Sequence, residues 1–203
     1  MRKPLAIAFS TSLLFTSAAE AQKLVGNASF ESLPTPVLLE TRGMFTDRFA
    51  KVGDDFFVAG QPTERALREM KAQGVTTVIN LRMPSEMQRV GFDEAKLVQS
   101  LGMKYVYIPM RGGQGEMSYS PATLARFSEA MKAADGKVLL HCTIAWRASH
   151  IWAAYLIEQG VSDETALAHA RAINLMDDHR MDDSGKQPVE MFLARKVEGL
   201  RRR

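Results

Sequence analysis

One cysteine occurs in the 203-residue chain, and its neighbours are of the types that make a thiol reactive. Cys142 stands in the run His141-Cys142-Thr143-Ile144-Ala145-Trp146-Arg147-Ala148-Ser149, with four residues between it and Arg147. Strand-like sequence precedes the run and an apolar helical segment follows it. Three effects converge on the sulfur. The amides of a tight loop point inward as an anion nest. A helix N-terminus adds partial positive charge. Arg147 adds a full charge on a planar fork of donors. All three favour thiolate over thiol, and the same donors hold a tetrahedral oxyanion in front of it. The chemistry this permits is nucleophilic attack by sulfur on an anionic centre. The alternative is an inert core cysteine, the commonest fate of a lone thiol, with Arg147 on the surface.

The elements that must position this loop are legible as alternating periods. Phe56 to Ala59 reads as a short apolar strand. Gln61-Pro62-Thr63-Glu64 opens a helix with Pro in its first turn, Ala66, Leu67 and Met70 on its apolar face, and Gly74 at its end. Val75 to Asn80 is a β-branched buried strand. Asp93 to Leu101 is a helix closed by Gly102, Lys104 to Pro109 a strand, and Met110 to Ser120 a glycine-containing loop. Pro121 to Ala134 is a helix and Lys137 to His141 a strand. Ala148 to Gln159 is a helix apolar nearly all round and therefore buried. Ser162 to Asn174, capped by Ser162, and 188–200 complete the helices. Strands alternating with helices predict an α/β fold, a central, mostly parallel sheet flanked by helices on both faces. Ligands of such sheets bind beyond the carboxyl ends of the strands, which is where Cys142 falls.

The first 21 residues read as a cleavable export signal. Arg2 and Lys3 precede a short apolar stretch from Leu5 to Phe15, and Ala19-Glu20-Ala21 supplies a small-x-small cleavage site. The stretch is too short and too rich in Ser and Thr to span a bilayer. The expected organisation is a signal over 1–21, an irregular arm over 22–50 containing Pro34 and Pro36, and a single domain over 51–203. The expected location is the periplasm or beyond, with no stable membrane association after cleavage. A composition of 46% hydrophobic and 24% charged residues is that of a globular protein and excludes a disordered or collagen-like chain. At a net charge of +3, the only basic run is Arg201-Arg202-Arg203, which argues against a nucleic-acid partner. A lone cysteine excludes an internal disulfide and a cysteine-based zinc cluster. The acidic stretch Asp177, Asp178, His179, Asp182 and Asp183 reads as a solvated turn rather than a cation site. His150 and His169 read as packing residues on helices.

Several motifs recur in order. Ala59-Gly60-Gln61-Pro62-Thr63 is followed by Gly74-Val75-Thr76-Thr77-Val78-Ile79-Asn80-Leu81-Arg82, then Tyr107-Ile108-Pro109, then His141-Cys142 to Arg147. Over about residues 50–160 this series resembles the cysteine-dependent dual-specificity and protein-tyrosine phosphatases, in particular the phosphatase-like domain of beta-lactamase hydrolase-like proteins. The resemblance implies that Cys142 attacks phosphorus to form a cysteinyl-phosphate. It implies that Arg147 and the amides of Thr143, Ile144, Ala145, Trp146 and Arg147 stabilise the equatorial oxygens. The substrate is then a phosphorylated compound, and no metal or organic cofactor is required. His141 is expected to orient the loop through its ring. Arg82 is expected to be structural, pairing with Glu86 there or in an ordinary surface ion pair.

The chain also departs from that pattern. The cysteine-to-arginine spacing is one residue shorter than in most such phosphatases, a spacing that also occurs in the phosphatase-like branch named above and in rhodanese sulfurtransferases. Ala145 stands where a glycine is usual, and strain follows if the position needs a positive φ. Ala148 replaces the usual hydroxyl residue, with Ser149 one step late. The loop 110–120 holds no aspartate, and Glu116 is its only carboxylate and the candidate proton donor. Ile144 and Trp146 are placed at the floor or rim of the pocket. Three activities stay open on these residues: hydrolysis of phosphomonoesters, sulfur transfer through a Cys142 persulfide, and binding of an anion without chemistry.

Overall fold

The β-branched run Val75–Asn80 forms the longest strand of a six-stranded sheet. The computed structural model describes residues 33–176 and 185–200. In chain order the strands are β1 (Val37–Leu38), β2 (Phe49–Val52), β3 (Phe56–Ala59), β4 (Val75–Asn80), β5 (Lys104–Tyr107) and β6 (Lys137–His141). The helices are α1 (Glu64–Ala72), α2 (Pro84–Met87), α3 (Glu94–Ser100), α4 (Pro121–Lys132), α5 (Trp146–Glu158), α6 (Asp163–Ile173) and α7 (Pro188–Leu193). The sheet order is β1-β2-β3-β6-β4-β5. β3, β6, β4 and β5 run parallel, and β1 and β2 are antiparallel additions at one edge. The sheet is thus mixed and mostly parallel.

Register is what brings the motifs together. His141 lies level with Ala59 on one side and Asn80 on the other, and Asn80 is level with Tyr107. The four parallel strands therefore end in one row, and each quoted motif leaves the sheet at that row. The two faces are covered separately. Ala66, Leu67 and Met70 of α1 and Val98 of α3 pack with Val78 and Leu139 on one face. α4, α5, α6 and α7 pack with Val58, Ile79 and Leu140 on the other. Every residue of α5 from Trp146 to Leu156 is buried, and Trp152 stacks on Phe56 at 4.3 Å. Burial of each such large side chain contributes about 1.5–3 kcal/mol. This packing fixes α5, and with it the loop that precedes it.

Some boundaries differ from the sequence reading. The described part of the 22–50 segment is not wholly irregular. It supplies β1 and the start of β2, too short and too interrupted by Pro34, Pro36 and Gly43 to show a period. α1 opens at Glu64 with Thr63 as cap, so Pro62 precedes the helix. The strand over 104–109 ends at Tyr107. The last helix covers Pro188–Leu193 rather than 188–200, because Ala194 turns left-handed at φ 52°. α2 is an added short helix held by its own turn, with the Met83 amide donating to Glu86 Oε2. The leader and the acidic 177–183 stretch lie outside the described residues, as does Arg201-Arg202-Arg203.

Candidate active site

Cys142 follows β6 directly and is buried, with its amide donating to Ala59 O at 3.3 Å. The chain then turns through Thr143, Ile144 and Ala145 into α5. α1, α3, α4 and α6 each open on a residue whose side-chain oxygen accepts a first-turn amide: Thr63, Asp93, Ser120 and Ser162. α5 opens on Ala145, which has no such oxygen. The amides of Thr143, Ile144 and Arg147 donate to no backbone carbonyl among the described residues. Unlike those four helix starts, this one keeps donors for an anion. Ala145 reaches the turn at φ 64°, the left-handed region where the sequence predicts strain for alanine. α5 starts two residues earlier than its apolar pattern suggests, so Arg147 sits in the first turn of the helix rather than on the loop.

The guanidinium of Arg147 is clamped from several sides. Nη1 donates to Glu86 Oε2 at 2.8 Å and Nη2 to Glu86 Oε1 at 2.7 Å, a bidentate pair. Nη1 also donates to Met110 O at 3.0 Å and Leu81 O at 3.3 Å. Thr143 Oγ1 donates to Glu86 Oε1 at 2.7 Å and accepts from Arg147 Nη2 at 2.9 Å. No hydrogen bond is made by Arg147 Nε within the described residues. Burial pushes the Glu86 carboxyl up, but hydrogen bonds from Arg147, the Met83 amide and Thr143 outweigh it and hold the group down to about 2. Burial also works against the charge on Arg147, and Glu86, together with Cys142, more than restores it. The expected pairing of Glu86 with Arg82 is thus corrected. Arg82 reaches only the Glu86 backbone carbonyl, at 3.2 Å, because the carboxylate is turned to Arg147.

Behind the loop lies a second buried polar network, and the motif residues are its members. His141 Nε2 and Glu94 Oε1 are 2.9 Å apart, both side chains fully buried. Asn80 Nδ2 donates to the same carboxylate at 3.0 Å, and Gln61 Nε2 donates to Glu94 Oε2 at 2.6 Å. Arg82 Nη1 donates to Gln61 Oε1 at 2.5 Å, and the Arg82 amide donates to Asn80 Oδ1 at 2.8 Å. Burial raises the Glu94 carboxyl, and His141, Gln61 and Asn80 together bring it below its ordinary value. The ring of His141 is therefore tied to α3, not to the loop it was expected to orient. Gly60 completes the support. A Cβ there would sit 1.7 Å from Thr46 O and 2.9 Å from Thr143 O, and the next amide, of Gln61, donates to Thr143 O at 3.0 Å. From the other face, Asn174 Nδ2 donates to Ile144 O at 2.5 Å.

The remaining sequence candidates fall in different places. Ile144 is 39% exposed at the loop tip and Trp146 is buried. Ser149 Oγ donates to Trp146 O at 2.8 Å, which spends its proton inside the first turn of α5. Glu116 is exposed on the loop after Met110, with no hydrogen bond or ion pair among the described residues. Glu86 as the partner of Arg147, and Glu94 and Asn174, were not singled out from sequence. Glu86 and Glu94 look like ordinary first-turn acids, and only the register of the strands shows what they meet.

Residues 48–160 match the family described as beta-lactamase hydrolase-like protein, phosphatase-like domain. The beta-lactamase hydrolase-like protein of Xylella fastidiosa (strain 9a5c) is 26% identical over 133 residues, covering 63% of this chain. The chain spans about 30% of the length of the curated relatives it matches. Among solved structures, TpbA of P. aeruginosa in complex with phosphotyrosine superposes with a TM-score of 0.52 at 14% identity, over 68% of this chain and 77% of that one. PTPMT1 in complex with PI(5)P gives 0.54 at 19% identity, over 68% and 88%. At these identities the two structures share the fold.

Proposed function

The chain belongs to that phosphatase-like domain family, and from this premise we propose that it is an exported hydrolase of phosphomonoesters working through a cysteinyl-phosphate. One observation carries the reading. Cys142 lies at the carboxyl end of β6, at the head of a loop whose Thr143, Ile144 and Arg147 amides have no backbone acceptor among the described residues, and close to an arginine held by four separate groups. That two structures of the same fold hold phosphorylated ligands supports it. The thiolate of Cys142 attacks phosphorus, the P–O bond to the leaving group breaks, and Glu116 donates the proton the leaving oxygen needs. Water then attacks the cysteinyl-phosphate, returns a proton to Glu116, and releases phosphate and the free thiolate. Through this sequence the loop amides and Arg147 hold the equatorial oxygens. Export rests on the pattern of residues 1–21, and sequencing of the protein from a periplasmic fraction is expected to start at Gln22.

The test is phosphate release from a generic aryl phosphate by the purified protein, beside Cys142→Ser. Turnover that vanishes in the variant supports the reading. Absent turnover, or turnover indifferent to the substitution, overturns it for this substrate class. Cysteine-dependent sulfur transfer from thiosulfate to cyanide, without phosphate release, would replace it with the persulfide chemistry.

A further inference from the structure

Beside the loop lies a cavity of about 570 Å³. Gln61, Thr63, Arg65, Arg82, Arg89 and Thr143 are among the residues that line it, so it adjoins the residue that follows Cys142 and the first residues of α1. Its charge is one-sided. Three arginines stand against one carboxylate, Glu64, which lies 3.8 Å from Arg68 on the surface of α1. Arg65 makes no ion pair among the described residues. Arg89 is exposed, and its Nε donates only to Ser85 O at 3.3 Å.

Arg82 is the second, independent sign. It is 8% exposed, and Nε is buried with no hydrogen-bond partner. Its Nη atoms meet a neutral amide and a backbone carbonyl, and no carboxylate lies within ion-pair distance among the described residues. A buried cation short of countercharge is unfavourable, and burial, with Arg147 nearby, holds this guanidinium below its ordinary pKa although Glu86 and Glu94 act the other way from a distance. An anion in the cavity supplies the missing countercharge. Arg147, by contrast, has Glu86. The two arginines are 65 residues apart in sequence but flank the same Glu86, one at its carboxylate and one at its carbonyl.

We propose that this cavity is a second anion subsite, and that the substrate is a compound carrying two phosphates, one held over Cys142 and the other by Arg65, Arg82 and Arg89. The proposal rests on the phosphatase reading and names its substrate class.

The experiment measures binding of an alkane monophosphate and a ladder of α,ω-alkane bisphosphates to the Cys142→Ser protein, then to the same protein with Arg65→Ala and Arg89→Ala. One chain length is expected to bind about tenfold more tightly than the monophosphate. The double alanine variant is expected to lose that preference, and Arg65→Lys with Arg89→Lys to restore most of it. Both residues are exposed and outside any ion pair among the described residues, so the melting temperature reports whether the fold is intact. Equal affinity for monophosphate and every bisphosphate overturns the subsite, as does a preference that survives the alanine pair. Aryl phosphate turnover by the unsubstituted protein is measured in parallel. Turnover without a bisphosphate preference removes the subsite alone, and a preference without turnover removes the phosphatase reading alone.

Discussion

On one side of the site, Arg147 is fixed by both oxygens of Glu86, by two backbone carbonyls and by Thr143. On the other, the loop that leaves Met110 presents Glu116 to solvent, with no hydrogen bond or ion pair to it among the described residues. The anion-holding half is over-determined, so its donors stand in place before any ligand arrives, which is the condition under which fixed dipoles are most effective. On the proposed mechanism, the proton-donating half is positioned by the substrate itself. Such a division tolerates many leaving groups and places the demand for precision on the cradle. It also states where substitutions should be severe and where they should be mild.

The largest effect is expected at Gly60. Its added methyl would lie 1.7 Å from a backbone oxygen, and backbone does not step aside as a flexible side chain does. Gly60→Ala is expected to cost more than about 4 kcal/mol, the range reserved for outright structural conflict. Chemical denaturation or the yield of soluble protein measures this, and a stable variant would show that the loop rests elsewhere than on Thr46 and Thr143.

Next is Glu86→Gln. The pair has side chains 10% and 21% exposed, and removing one partner of a largely buried pair leaves the other charge uncompensated. A fall in kcat/KM of about 100-fold is expected, equal for good and poor leaving groups, because the cradle acts on the phosphoryl group and not on the leaving oxygen. The pH dependence has a definite sign. The folded carboxyl is held at about 2 against an ordinary 4.5, so its contribution to stability is complete above about 4.5 and is lost as the pH falls toward 2. Melting curves of the parent and Glu86→Gln are therefore expected to converge on acidification and to stay apart at neutral pH.

Glu116→Gln sharpens the contrast. A general acid matters in proportion to the basicity of the group that departs. The variant is expected to lose about tenfold on an alkyl phosphate and less than about threefold on a nitrophenyl phosphate, whose oxygen leaves unaided. An equal loss on both would move Glu116 into the cradle, and no loss on either would remove it from the proton path.

What the sequence disclosed follows the same line. β4 and β6 were legible to the residue because a short apolar, β-branched run between turn residues has one sensible use, and the capped start of α6 was legible from Ser162. The start of α5 was misplaced because it lacks any capping residue, and that lack is what leaves its amides to a ligand. Cys142 and Arg147 were found by their neighbours in sequence. Their supports, Glu86, Glu94 and Asn174, come from other segments, and a carboxylate in a first turn carries no mark of the cation it will meet. Gln61, Asn80 and Arg82 were visible as motif letters, but their joint attachment to Glu94 and to one another appears only when the strands align.

The smallest effect is expected at Ala145, where cradle geometry and local strain meet. A left-handed φ costs an L-residue about 1–2 kcal/mol, which Ala145→Gly would relieve. Against that, glycine widens the unfolded ensemble by about 0.4–1 kcal/mol, and the buried methyl contributes roughly 0.8 kcal/mol. The terms nearly cancel, so the variant is expected to lie within about 1 kcal/mol of the parent. That is why alanine can occupy a turn that favours glycine without a stability penalty. Ala145→Val keeps the burial but adds a branched Cβ in the left-handed region, and a loss of about 2 kcal/mol or more is expected. A strong gain from glycine would show that strain in the loop is far from balanced. A strong loss would show that the methyl against the core, rather than the turn, sets the shape of the cradle.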